Sequence, residues 1–153
     1  MNTYCTQLTQ SPIQEITSVS SFIKHNRMNL PLYASKVSAG FPSPADDYIE
    51  KHLDLNDLVK NPASTFFVKV AGHALKDAGI YENDILIVDR SLPALPGKVV
   101  ISVIDGQLMI KRIDKHSGKL YLMPTNTEFA PIEIKEEDDL HIWGVVTKVI
   151  HDM

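Results

Sequence analysis

The stretch that decides the fold is VVISVIDGQLMIKRI, residues 99–113. Two runs rich in β-branched and aliphatic residues, Val99–Ile104 and residues 107–113, flank the pair Asp105-Gly106. An Asp-Gly pair supplies the positive φ angles that a tight two-residue turn requires. The stretch therefore predicts a β-hairpin.

The sequence around this hairpin also predicts strands. Short β-branched or aliphatic runs bounded by turn residues lie at residues 65–70, 84–89, 119–123 and 142–150, and His116-Ser117-Gly118 predicts a second turn. Helical character is confined to residues 45–59, where the candidate inward-facing residues are Tyr48, Ile49, Leu53, Leu55 and Leu58. We therefore predict a mainly β body with a compact, twisted sheet core and one or two short helices.

Composition bounds the class of protein. The chain has 153 residues, 44% of them hydrophobic and 22% charged, which predicts a folded domain and excludes wholesale disorder. Fifteen basic residues against nineteen acidic ones give a net charge of −4, which disfavours direct sequence-specific DNA binding. The single cysteine, Cys5, excludes an internal disulfide. No apolar run is long enough to cross a membrane, and residues 1–21 lack the pattern of a signal peptide, so we expect a soluble, cytoplasmic protein.

The N-terminal segment differs from the rest of the chain. Residues 1–39 hold three basic residues and one acidic residue, a net charge of +2, and the remainder holds twelve basic and eighteen acidic, a net charge of −6. The segment has no sustained helical or alternating period. We interpret residues 1–39 as an extended or weakly ordered arm and residues 40–153 as the folded body. The seam SAGFPSP, residues 38–44, contains a glycine and two prolines that resist helix formation and strand pairing.

Generic site motifs are missing from the sequence. It contains no phosphate-binding glycine loop, no dinucleotide fingerprint and no His-Glu-x-x-His pair, and its six histidines follow no ligand spacing. The acidic residues between Glu133 and Asp139 are typical of a solvated loop. We therefore predict neither a metal ion nor a cofactor.

One set of motifs does carry chemistry. The stretches AGFPSPADDYIE (residues 39–50), PASTFFVK (62–69), DILIVD (84–89) and WGVV (143–146) resemble the UmuD group of the LexA-like Ser-Lys peptidases. Members of that group are self-cleaving accessory subunits of mutagenic polymerases such as DNA polymerase V. The resemblance runs from Leu32 to the C-terminus. It implies a LexA-like peptidase body of antiparallel sheets.

The resemblance also implies a cleavage site and a base. The scissile bond would join Ala39 to Gly40, and the catalytic lysine would be Lys111, in the strand after the Asp-Gly turn. A lysine acts as a general base only in its neutral form, which burial among apolar neighbours favours. Strand alternation would place Lys111 on one face with Met109 and Ile113.

The nucleophile position departs from the family pattern. The family's serine lies in a Gly-x-Ser-Met motif after a strand, and the corresponding residues here are Gly72-His73-Ala74-Leu75. Gly72 and His73 would form the turn whose backbone amides hold the oxyanion, and His73 is not expected to be a third catalytic residue. Ala74 has no hydroxyl, so we expect the chain as written to be unable to cleave itself. Either the serine was replaced deliberately or the protein is a natural pseudo-peptidase, and the retained Lys111 favours the first explanation.

The function implied by the resemblance is regulated self-processing in the SOS response to DNA damage. A RecA filament on single-stranded DNA would stimulate loss of residues 1–39, and the remaining body would join a Y-family, UmuC-like catalytic subunit in translesion synthesis. The resemblance implies a homodimer. The alternatives are a non-catalytic protein that binds RecA or a polymerase and, less favoured, a LexA-like repressor. Residues 1–39 are too short and too polar to form a helix-turn-helix domain.

Overall fold

Ten β-strands make up most of the part of the chain that the computed structural model describes, which comprises residues 16–23, 30–33, 49–72, 75–124, 130–135 and 141–153. The strands are β1 (Ile16–Ser21), β2 (Leu30–Tyr33), β3 (Ile49–Leu53), β4 (Thr65–Val70), β5 (Ile85–Asp89), β6 (Val99–Ile104), β7 (Gln107–His116), β8 (Lys119–Met123), β9 (Ile132–Glu133) and β10 (His141–Ile150). The helical segments among these residues are three single turns of 3-10 helix, Leu55–Leu58, Pro62–Ser64 and Lys76–Ala78. The mainly β prediction is confirmed.

Eight of the strands form one antiparallel sheet, in the order β1-β4-β5-β10-β6-β7-β8-β9. The strands predicted from the sequence correspond to β4, β5, β6, β7, β8 and β10. Glu133, predicted to lie in an acidic loop, instead lies in β9, and its Oε1 is 3.1 Å from Nζ of Lys119 in β8. The hydrogen bond and negative charge of Glu133 raise the pKa of Lys119.

The predicted hairpin is confirmed, and its turn sets the register of the sheet's centre. Asp105 and Gly106 have φ values of +50° and +75°, as a two-residue turn of this hand requires. Ile104 therefore pairs with Gln107, and the ladder continues until Val100 faces Lys111. The second predicted turn is also confirmed, with φ values of +51° at Ser117 and +79° at Gly118.

The central strands are buried on both faces, because neighbouring residues of one strand belong to different core clusters. In β6, Val100 packs in one cluster and Ile101 in the other. The first cluster comprises Ile16, Val68, Val70, Leu75, Ile80, Leu86, Val88, Ile101 and Ile110. The second comprises Val100, Ile113, Leu122 and Val145.

The prediction of helical character over residues 45–59 is wrong for Ile49–Leu53, which forms β3 and pairs with β2. The Asp54 carboxylate accepts a hydrogen bond from the backbone N–H of Asn56 at 3.0 Å, so a capped 3-10 turn begins only after the strand ends. Leu55 is 43% exposed instead of facing inward. Tyr48 lies outside the described residues.

Two strands, β1 and β2, lie in the segment that we interpreted as an arm, and the sequence analysis predicted neither. The described residues divide into two compact units. One contains β1 and everything from Ser64 onward, and the other contains the residues between, including the β2–β3 pair.

Among the described residues, no helix combines the length and the apolar character needed to cross a membrane.

Candidate active site

Lys111 is the predicted catalytic residue that the structure describes most fully. It lies in the middle of β7, is only 6% exposed, and faces the fully buried Val100 of β6. Strand alternation places it on the same face as Ile113, a member of the second cluster. The predicted burial of Lys111 among apolar neighbours is therefore present.

Ser102 is a buried polar residue near Lys111 that the sequence analysis did not single out. It is 0% exposed, pairs with Met109 across the hairpin, and its hydroxyl donates to the Met109 carbonyl at 3.3 Å. It lies on the same face as Lys111, two residue pairs closer to the turn. The register fixed by Asp105-Gly106 would have located it from the sequence alone.

A row of buried residues runs across five strands and ends at Lys111. Thr65, Asp89, Val145, Val100 and Lys111 are cross-strand partners in succession, and each is at most 6% exposed. The two charged side chains of this row, Asp89 and Lys111, are separated by two valines.

Asp89 is held by its own hydrogen bonds at the end of β5. Its Oδ1 accepts from the Ser64 hydroxyl at 2.8 Å, the Ser91 hydroxyl at 2.7 Å and the Ser91 backbone N–H at 2.8 Å. Such a carboxylate is satisfied locally, as buried polar groups must be. We assign Asp89 a structural role in closing the turn after β5.

The turn predicted to carry the nucleophile follows β4 directly. Gly72 has a φ of +67°, a left-handed conformation that glycine adopts without steric cost. The strand end before it is fixed because Val70 N–H donates to the Asp84 carbonyl at 2.9 Å and Asn83 N–H donates to the Val70 carbonyl at 3.0 Å.

Asp84, whose backbone pairs with the end of β4, also makes two side-chain contacts. It is 1% exposed, its Oδ2 accepts from the Tyr81 N–H at 2.8 Å, and its Oδ1 lies 2.5 Å from Nδ1 of His151. The residues that frame the turn are therefore tied both to the β4–β5 connection and to the end of β10.

The far side of the turn is fixed by the core. Leu75 is 3% exposed and belongs to the first cluster, together with Ile110. The residue after position 74 and the residue before Lys111 thus pack in one cluster. A short 3-10 turn, Lys76–Ala78, follows Leu75 and ends at Gly79, which has a φ of +72°.

The remaining predicted site residues, His73, Ala74, Ala39 and Gly40, lie outside the described residues. Their roles stay predictions.

Comparison with known protein families decides the class. Residues 31–147 match the model of a family described as Peptidase S24-like. The chain belongs to the Peptidase S24-like family. The matched range contains the Ala39–Gly40 bond, the Gly72–Leu75 turn and Lys111.

The S24-like assignment agrees with similarity to individual proteins. The chain is 38% identical to the protein SamA of Salmonella typhimurium over 122 residues, which is 79% of this chain and 84% of SamA. It is 38% identical to the protein MucA of Escherichia coli over 121 residues, 78% of this chain and 82% of MucA. It is also 31% identical to the LexA repressor of Bordetella avium over 142 residues, 93% of this chain and 62% of the repressor.

Proposed function

We propose that this S24-like chain is a UmuD-like protein of the SOS response whose cleavage at Ala39–Gly40 yields the accessory subunit of an error-prone translesion polymerase. The observation that carries the proposal is the burial of Lys111 in the strand where the family resemblance requires the catalytic base. Lysine is rarely buried, so its position in this strand supports a peptidase ancestry.

In the proposed reaction, a serine hydroxyl at position 74 attacks the carbonyl carbon of Ala39. The neutral amine of Lys111 takes the hydroxyl proton, and the proton is then delivered to the amide nitrogen of Gly40 as the peptide bond breaks. Backbone amides of the turn beginning at Gly72 stabilise the oxyanion. Water hydrolyses the acyl-enzyme and leaves residues 1–39 and 40–153.

With alanine at position 74, this chain cannot make the acyl-enzyme, so we propose that it persists in the uncleaved form. A deliberate Ser-to-Ala replacement and a natural pseudo-peptidase both account for Ala74. The buried Lys111 favours the first, because a buried lysine has little reason to persist once the serine that it would activate is lost.

The proposed partners follow from the same resemblance. They are a second copy of the chain in a homodimer, a RecA filament on single-stranded DNA that stimulates cleavage, and a Y-family, UmuC-like catalytic subunit that takes up residues 40–153. The proposed location is the cytoplasm. The net charge of −4 supports action through protein partners instead of direct sequence-specific DNA binding.

The test restores the hydroxyl. We expect the Ala74→Ser protein to yield a fragment that begins at Gly40, measured by intact mass over time, and we expect RecA filaments on single-stranded DNA to accelerate its formation. The chain with Ala74 serves as the matched control and should remain intact under the same conditions. If the Ala74→Ser protein also remains intact with RecA filaments present, the self-cleavage proposal fails.

Ala74 itself favours a second candidate function. A natural pseudo-peptidase would bind RecA or the polymerase without being cut. The residue encoded at position 74 in the source gene separates the two, because serine supports the peptidase and alanine supports the pseudo-peptidase.

A further inference from the structure

Strand β1 is an integral part of the eight-stranded sheet. Its residues pair with residues 66–70 of β4, from Ile16 opposite Val70 to Ser21 opposite Phe66. Ile16 is 6% exposed and belongs to the first core cluster, together with Val68 and Val70. An edge strand that contributes a core side chain is held by both backbone pairing and apolar burial.

The Ala39–Gly40 bond lies between β2 and β3 in the chain, since β2 ends at Tyr33 and β3 begins at Ile49. Cutting this bond leaves β1 and β2 on the N-terminal fragment and β3 and β4 on the C-terminal one. Both antiparallel pairs, β1–β4 and β2–β3, therefore join one fragment to the other. The cut by itself removes no pair from either ladder.

We infer that β4 is a strand-binding site whose occupant after cleavage is β1 itself, so that residues 1–39 stay attached without a covalent link. Release of the arm is then a second step, in which an extended strand with an apolar residue opposite Val70 displaces β1. That the chain is cut at Ala39–Gly40 in the cell rests on the proposed function, whereas the strand-binding site on β4 rests only on the strand pairing.

The energetic reason is the surface that departure of β1 would uncover. Val68 and Val70 are 0% and 1% exposed, and loss of β1 would open the backbone edge between them to solvent. Exposed edges with apolar side chains are unfavourable and recruit other strands. Retention or replacement of β1 is therefore favoured over an empty edge.

The experiment cuts the full chain with an added protease, so that it does not depend on self-cleavage. A recognition sequence for a site-specific protease, flanked by Gly-Ser linkers, is inserted between Ala39 and Gly40. After complete cleavage, native mass spectrometry measures whether the two fragments remain together, and hydrogen exchange measures protection of the β4 amides. We expect a non-covalent complex in which β4 stays protected as in the uncut chain.

Two matched variants isolate β1. Ile16→Asp puts a charge at the buried position and should raise the fragments' dissociation constant by about tenfold or more and expose the β4 amides after cleavage. Ser18→Asp adds the same charge at an exposed position opposite Lys69 and should behave like the parent protein. Circular dichroism of the uncut variants checks that each one folds.

A competing peptide tests exchange. An excess of synthetic peptide with the sequence of residues 12–23 should displace the cut arm, and the same peptide with aspartate at position 16 should not. Prompt separation of the fragments of the parent protein would overturn the inference. Equal protection of the β4 amides in cleaved Ile16→Asp and cleaved Ser18→Asp proteins would also overturn it. Because an added protease makes the cut, neither result depends on Ala74 or Lys111.

Discussion

At the scale of single residues, Gly144 shows how closely the centre of the sheet is packed. It is buried in β10, and a Cβ atom built there would lie 2.6 Å from Cγ1 of Val88 and 3.4 Å from Cγ of Arg90. Val88 is 0% exposed and cannot move into solvent. Glycine is therefore required here by close approach of β5, not by its backbone angles.

We predict that Gly144→Ala lowers the free energy of unfolding by about 1–3 kcal/mol, because the added methyl overpacks the core. Chemical denaturation measures the change. The double variant Gly144→Ala/Val88→Ala provides the control, since removal of Val88 Cγ1 makes room for the new methyl. Its destabilisation should be smaller than the sum of those of the two single variants. Additive effects would contradict the packing explanation.

At the scale of elements, the Asp105-Gly106 turn positions the candidate base. It fixes the β6–β7 register that sets Lys111 opposite Val100 and Ser102 opposite Met109. A slip of one residue would reverse which residues of β7 face each core cluster and would move Lys111 to the face that Ile110 now occupies. The face of the sheet on which Lys111 lies thus depends on a turn five residues away along the strand.

Gly106 tests this dependence. Its φ is +75° and a Cβ atom there would meet nothing within 4 Å, so only backbone strain opposes substitution. Gly106→Ala should therefore destabilise the protein by about 1–2 kcal/mol. Gly106→Asn should cost clearly less, because asparagine tolerates the left-handed region. Thermal or urea unfolding compares the two variants, and equal costs would argue against a strained turn.

At the scale of the whole molecule, the chain leaves the large sheet after β1 and returns to it at β4, the strand that pairs with β1. The segment that connects β1 to β4 contains β2, the Ala39–Gly40 bond and β3. The β1–β4 pair therefore holds the two ends of this connecting segment together. A single cut within the segment breaks the chain but leaves the strand pairing of the sheet in place.

The parts predicted from the sequence are those that local signals specify. The Asp-Gly turn and its β-branched flanks identify β6 and β7, and the same kind of pattern identifies β4, β5, β8 and β10. The strands β1 and β2 were missed because ITSVSS and LPLY are short and carry little apolar alternation. Their pairing with β4 and β3 stabilises them, and that tertiary contribution is invisible in a local pattern.

The candidate site divides in the same way. The strand pattern and the Asp-Gly turn place Lys111, and the register of the same turn would also have located Ser102. Asp84, in contrast, could be recognised only from the fold of the β4–β5 connection. The roles of Ala74, Ala39 and Gly40 come only from the family resemblance.

The most direct test of the account compares cleavage rates of two variants in the Ala74→Ser background. Lys111→Met keeps the length of the buried side chain but removes the amine, and it should lower the rate of Gly40-fragment formation by roughly 100-fold or more. Lys115→Met, at an exposed position of the same strand, should cleave like the parent. Equal cleavage of the Lys111→Met and Lys115→Met proteins would show that Lys111 is not the base.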